Sequence, residues 1–195
     1  MRIISGTFRG RKFQLPKNLK ARPTTDFAKE NLFNILANRI DFEDLRVLDL
    51  FSGTGSISFE FLSRGAKSVT CVEQYLPHVK FIREVAEKLK VETLTVVNGD
   101  VYRFIEHSAG TFDLIFADAP YADEKLGSIP ERILNSSLLA ENGLLIVEHS
   151  KSNNFSGHPL YKETRIYGSV NFSLFQKEAA EEEPEVKAAD QTAGK

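Results

Sequence analysis

Polar and apolar positions change period several times along this chain, and each change marks an element. From 26 to 40 the apolar residues Ala28, Leu32, Ile35, Leu36 and Ile40 fall on one helical face, and Thr24, Thr25 and Asp26, just after Pro23, offer N-caps for that helix. Short β-rich runs follow at 46–51 (RVLDLF), 68–73 (SVTCVE), 93–98 (TLTVVN), 112–118 (FDLIFAD) and 143–149 (GLLIVEH). They read as buried parallel strands. The stretches between them, 56–64, 76–90, 101–108 and about 125–135, have the length and composition of crossover helices. This alternation predicts an α/β fold, Rossmann-like and doubly wound around a mostly parallel sheet. The rhythm then changes: 161–167 (YKETRIY) and 170–176 (VNFSLFQ) are joined by Gly168-Ser169, so an antiparallel hairpin should complete a seven-stranded sheet. At the amino end, 2–5 and 11–15 flank Gly6 and Gly10 and predict a small hairpin.

The first parallel strand runs through Asp49-Leu50-Phe51-Ser52-Gly53-Thr54-Gly55 straight into a helix. Two glycines there let backbone come close to a ligand, because no Cβ intrudes and positive φ costs little. A dinucleotide fingerprint requires a third glycine at position 58, which is Ser58, and this weighs against a nicotinamide-dependent oxidoreductase. The second strand ends in Glu73, whose carboxylate can accept from two adjacent ribose hydroxyls. The third ends in Asn98-Gly99-Asp100, with Val101 opening the next helix; Asp100 could accept from an adenine amino group. Singly, such a turn is often only a tight turn, and such a carboxylate only a helix cap. Together, on one rim, Asp49, Phe51, Gly53, Gly55, Glu73, Asp100 and Val101 suit an adenosine with a charged amino acid tail.

The fourth strand delivers Asp118-Ala119-Pro120-Tyr121 to the same rim, beside the expected switch point between strands one and four. The exocyclic amino nitrogen of a base is a poor nucleophile, since its lone pair is delocalised into the ring. A carboxylate and a backbone carbonyl accepting its two N–H bonds push density back to nitrogen and aim it at a sulfonium methyl. Tyr121 would stack on the base once everted. A plain Asp-x-Pro turn with a half-buried tyrosine is the bland reading of the same residues.

These motifs resemble those of class I amino-group methyltransferases. More narrowly, Arg9 to Lys12, Arg22 to Asp26, Glu30 to Asn34, Asp49 to Gly55 and Leu62 to Ala66 are similar to the bacterial 16S ribosomal RNA guanine-N2 methyltransferase family, over about residues 1–176. The resemblance implies S-adenosylmethionine as cofactor, guanine 966 of the small-subunit RNA as target, and RNA within the assembling subunit as partner. One position departs: the family loop has two prolines, and Ala119 replaces the first. A backbone carbonyl remains available there, and what is lost is fixed φ, worth about 0.4–1 kcal/mol of preorganisation. The residues alone leave open adenine N6 of DNA or RNA as target, and a non-catalytic assembly factor with a relic cofactor site.

Composition adds a partner. The 195 residues are 42% hydrophobic and 27% charged, ordinary for a soluble domain. No apolar run nears the roughly 20 residues of a membrane-spanning helix, and the basic start has no apolar stretch behind it, so a cytoplasmic protein is expected. Cys71 is the single cysteine and the four histidines are scattered; no zinc spacing appears, and neither a metal nor a membrane partner is expected, nor more than a monomer. The net charge of −2 hides an asymmetry. Before the first acid, Asp26, stand seven cations including Arg9, Arg11, Lys12 and Arg22, interleaved with Phe8 and Phe13, a mixture suited to phosphate contact plus stacking. Residues 177–195 carry six acids against three lysines and no large apolar residue, the composition of a disordered tail. The expected division is a basic extension at 1–24, a catalytic domain at 25–176 and the acidic tail.

Overall fold

A computed structural model of the chain describes residues 1–16, 19 and 25–178. The first helix, α1 (Asp26–Ala37), starts where Thr25 Oγ1 accepts the Ala28 amide at 3.2 Å, which satisfies one of its orphan donors. Its buried face is Ala28, Leu32, Phe33 and Leu36, together with Lys29; Ile35 and Ile40 reach only the margin.

Seven strands form one sheet: β1 (Arg46–Leu50), β2 (Ser68–Glu73), β3 (Leu94–Asn98), β4 (Phe112–Ala117), β5 (Leu139–His149), β6 (Tyr161–Tyr167) and β7 (Val170–Gln176). Their spatial order is β3-β2-β1-β4-β5-β7-β6. The first five run parallel, and β7 lies antiparallel to both β5 and β6. The chain winds outward from β1 to β3, then returns to lay β4 on the other side of β1. Such a reversal opens a crevice at the carboxyl ends of the two central strands.

The crossovers are α2 (Ser56–Ser63), α3 (Leu76–Leu89), α4 (Val101–His107) and α5 (Ile129–Leu134). Period-two alternation sorts the strand residues between two apolar layers. Val47, Cys71, Phe116 and Ile146 pack with α1, α2 and α3, whereas Leu48, Ile115, Ala117 and Val147 pack with α4 and α5. Asp49 falls on the Val47 side and so lies beneath α2, buried.

Three local expectations are revised. The helix expected at 125–135 divides into a 3-10 turn, Leu126–Ser128, and α5, because Pro130 has no N–H to continue a ladder from Leu126. β5 begins at Leu139 rather than 143, since Asn142, at φ 60, makes an irregularity in the pairing with β4 instead of a turn that ends it. The amino-terminal hairpin is shorter than expected, pairing 1–3 with 10–13 through the Arg2–Lys12 bridge and backbone bonds from Ile3 to Arg11, Gly10 to Ile3 and Phe13 to Met1. What holds this segment is α2: Glu60 accepts the amides of Ile4 and Ser5 at 2.9 and 3.0 Å, and Ser63 Oγ accepts that of Phe8 at 2.9 Å. Gly6 lies so close that a Cβ there would sit 1.7 Å from the Ser63 carbonyl oxygen. No helix among the described residues is long and apolar enough to cross a membrane.

Candidate active site

A cavity of about 560 Å³ opens at the carboxyl rim of β1, β2, β4 and β5. Most of the lining is strand ends and the loops they feed, joined by Thr25 at the α1 cap, Ile57 of α2 and His78 of α3, so sheet order largely determines what meets there. Asp49, Phe51, Gly53, Glu73 and Val101 line it, and so do Asp118, Ala119, Pro120 and Tyr121. Gly55 and Asp100 are not in the lining.

The loop after β1 is held open by unusual backbone. Phe51, Gly53 and Gly55 have φ of 60, 53 and 73°; for a bulky residue such as Phe51 that is a strained conformation of the kind found at ligand clamps. The two glycines differ in use. A Cβ on Gly53 would approach nothing nearer than 4.0 Å, whereas one on Gly55 would sit 3.1 Å from Ile82 and Phe59 side chains. Gly53 therefore leaves backbone bare toward the cavity, and Gly55 lets α2 pack.

Asp49 braces this loop from below. Its Oδ2 accepts the Ser58 amide at 3.0 Å and the Ser58 hydroxyl. Burial pushes its carboxyl up to about 7; the Ser58 hydrogen bonds oppose that rise and the Glu73 charge adds to it. Glu73 ties the neighbouring strand end to the loop: its Oε2 accepts the Gly53 amide at 2.8 Å and its Oε1 the Tyr75 amide at 2.7 Å. Asp100 instead caps α4, accepting the Arg103 amide at 2.9 Å in an exposed position.

Two lining residues carried no sequence signal. His78 Nδ1 stands 3.8 Å from Glu73 Oε1, and both ring nitrogens are buried without a hydrogen-bond partner among the described residues. Glu148, at the end of β5, is 4% exposed and accepts the Tyr121 hydroxyl at 3.2 Å. A histidine without zinc partners and a strand-end glutamate look ordinary in one dimension. Their placement could be found only by knowing that α3 starts beside Glu73 and that β5 lies next to β4.

The cavity's charge is one-sided. Asp49, Glu73, Asp118 and Glu148 line it, with no lysine or arginine among the described lining residues. Such a wall fits a cationic ligand and disfavours a pyrophosphate. Unpartnered His78 nitrogens on the same wall supply capacity for a ligand's polar atoms. Among the described residues no group of three His, Cys, Asp or Glu is placed to hold a metal ion.

Beside this cavity, sharing Thr25 and Ser56, lies a second hollow bordered by Arg2, Lys12 and Phe13 of the amino-terminal segment. Arg9, Arg11 and Lys12 are exposed, and Arg22 lies outside the described residues. Phe8 and Phe13 pack against the apolar layer under α1 and α2. The two rings that the sequence offered for base stacking are thus partly buried in this packing. Lys29, wholly buried, links segment to cavity: its Nζ donates to the Arg2 carbonyl and, at 3.0 Å, to Ser56 Oγ, and lies 3.7 Å from Glu60.

The sheet order, the glycine loop and the Asp-Ala-Pro-Tyr loop define a class I, Rossmann-like methyltransferase fold. The solved structure of yhhF from Escherichia coli aligns with a TM-score of 0.81 at 30% identity, covering 92% of this chain and 99% of that one. TrmN from Thermus thermophilus, 21% identical, has a TM-score of 0.62 over 77% of this chain and 48% of that one, a likeness of fold alone. Residues 1–176 match the family model described as Conserved hypothetical protein 95. Ribosomal RNA small subunit methyltransferase D of Escherichia coli (strain K12) is 32% identical over 183 residues, 92% of this chain and 91% of that protein. The chain belongs to this methyltransferase family.

Proposed function

We propose that the chain transfers a methyl group from S-adenosylmethionine to the exocyclic N2 of a guanine in small-subunit ribosomal RNA, guanine 966 by family resemblance. The observation that carries this reading is the convergence of the Gly53–Glu73 corner and the Asp118 loop on one acid-lined cavity. Gly53 bares backbone to the methionine moiety, the second lone pairs of the Glu73 oxygens receive the ribose hydroxyls, and Val101 flanks the adenine. The cofactor supplies an electrophilic methyl on a cationic sulfur, which the carboxylates favour.

Asp118 and the Ala119 carbonyl accept the two N–H bonds of the target amine, restoring nucleophilic character to nitrogen. When a bound cofactor gives up its methyl and keeps the sulfur electron pair, the amine would release one proton, which Asp118 would hold. Tyr121, 38% exposed at the cavity mouth, covers the everted base. Arg9, Arg11 and Lys12, with Arg22, take RNA phosphates. The domain thus divides into a basic extension at 1–24 and a catalytic unit at 25–176; Lys177 still bonds to β5 through the Gly143 carbonyl, and the acidic tail from 179 onward lies outside the described residues.

Nucleoside mass spectrometry of small-subunit RNA from a deletion strain tests the reading. The expected result is loss of one N2-methylguanine, restored by the wild-type gene. An unchanged RNA would refute it.

A further inference from the structure

We infer that Glu148 selects the base: its carboxylate reads the guanine N1–H and rejects adenine. The inference rests on the guanine-N2 reading above and goes on to name how the choice is made.

β4 and β5 are parallel neighbours with Ala117 paired to Val147, so the next residues on each strand, Asp118 and Glu148, stand side by side, about 4.8 Å apart at the backbone. Both line the cavity. Asp118 begins the loop that receives the amine, and Glu148 occupies the adjacent place along the same wall. A planar base whose amino nitrogen lies on Asp118 presents its next Watson–Crick atom to Glu148. In guanine that atom is N1, which carries a proton and donates; in adenine N1 has only a lone pair. An ionised glutamate can only accept, so guanine gains a charge-assisted bond where adenine meets repulsion between two acceptors.

Burial sharpens the choice. Glu148 is 4% exposed, so little water is at hand to screen the repulsion between its carboxylate and a facing lone pair. The Tyr121 hydroxyl, 3.2 Å from Oε1, fixes the carboxylate's direction while its ring flanks the base. One residue pair would thereby couple the base's plane to its identity.

The base 2,6-diaminopurine separates amine from N1: it keeps the guanine N2 amino group but has a lone pair at N1. Small subunits are reconstituted on RNA carrying guanine, 2,6-diaminopurine or adenine at the methylated position, and kcat/KM and the methylated nucleoside are measured for the full chain. Wild type is expected to make N2-methylguanine and to prefer guanine over 2,6-diaminopurine by about 10- to 100-fold. Glu148→Gln, whose amide can donate to N1, should bring that ratio near one or invert it. Tyr121→Phe keeps the carboxylate and should retain most of the preference. Calorimetry with S-adenosylhomocysteine reports whether each variant keeps its cavity.

If wild type uses guanine and 2,6-diaminopurine equally, the inference fails without reference to any variant, and the methyltransferase reading stands. It fails likewise if Glu148→Gln lowers both rates with an unchanged ratio, the result expected were Glu148 only a brace for Tyr121. N6-methyladenine as wild-type product, or no product, overturns this inference and the guanine reading together.

Discussion

The strand-end cavity and the amino-terminal segment are both built around carboxylates, but they use them in opposite ways. In the cavity, Glu73 holds the Gly53 amide and Asp49 that of Ser58 in α2, and both still contribute charge to a hollow. Under the amino-terminal segment, Glu60 is fully buried, and its two oxygens take the Ile4 and Ser5 amides, the Arg64 guanidinium and the Lys29 ammonium. The first arrangement keeps acceptor capacity toward a ligand. The second consumes it to fasten a short basic hairpin onto α2. On the proposed function, chemistry and substrate grip should be separable by mutation, although Lys29 and Ser56 join the two regions.

The largest expected effect falls on the cavity side. Asp118→Ala should lower turnover by about 100- to 1,000-fold, as loss of one preorganised transition-state partner does, with RNA affinity little changed. Single-turnover methylation alongside filter binding checks this; unchanged turnover would remove Asp118 from its role. Next in size, Glu73→Ala should weaken S-adenosylmethionine by about 1.5–3 kcal/mol, since charge-assisted hydrogen bonds to ribose are lost and the Gly53 amide loses its acceptor. Calorimetry measures it directly, and unaltered affinity would move the ribose elsewhere.

The amino-terminal region should respond to salt instead. With about four phosphate contacts at roughly −0.7 each, log K for single-stranded RNA should fall against log salt with a slope of about −3. Neutralising Arg9, Arg11 and Lys12 together should reduce that slope by about 2 while cofactor affinity holds. A flat salt response in the wild-type protein would show that the segment does not touch phosphate, and the contrast between the two regions would collapse.

What the sequence revealed follows the same division. The strand ends were legible because period-two runs broken by Gly53, Glu73 and the Asp118 loop report backbone and chemistry together, within a few residues. Asp100 carries both readings that its sequence offers no means to separate, because a strand-end acid and a helix N-cap share one local pattern; its Oδ1 accepts the Arg103 amide. Glu148 and His78 were invisible because their neighbours are set by sheet order and by where α3 begins. The amino-terminal segment does pair with itself, Ile3 with Arg11 and Phe13 with Met1, but the amides of Ile4, Ser5 and Phe8 go to Glu60 and Ser63, more than fifty residues away. Nothing near positions 2–15 could announce that.

The smallest expected effect probes the charge of the cavity itself. Burial raises the Asp49 carboxyl from 3.8 to about 7, so the folded protein prefers it protonated, and folding stability falls as pH climbs through the window between those values and levels off above it. Asp49→Asn, which still offers Ser58 an acceptor, should therefore gain in melting temperature relative to wild type on going from pH 5 to pH 8. Binding has the opposite sign. A cationic donor favours the ionised carboxylate, so S-adenosylmethionine affinity should rise severalfold between pH 6 and pH 8. The nearby Cys71 thiol, pushed up to about 12 by burial, stays neutral throughout that range. S-adenosylhomocysteine lacks the sulfonium charge and should show a shallower dependence, and Asp49→Asn should flatten the difference between the two ligands. Equal pH profiles for both ligands in the wild-type protein would mean that Asp49 braces the loop without sensing the charge of what the loop holds.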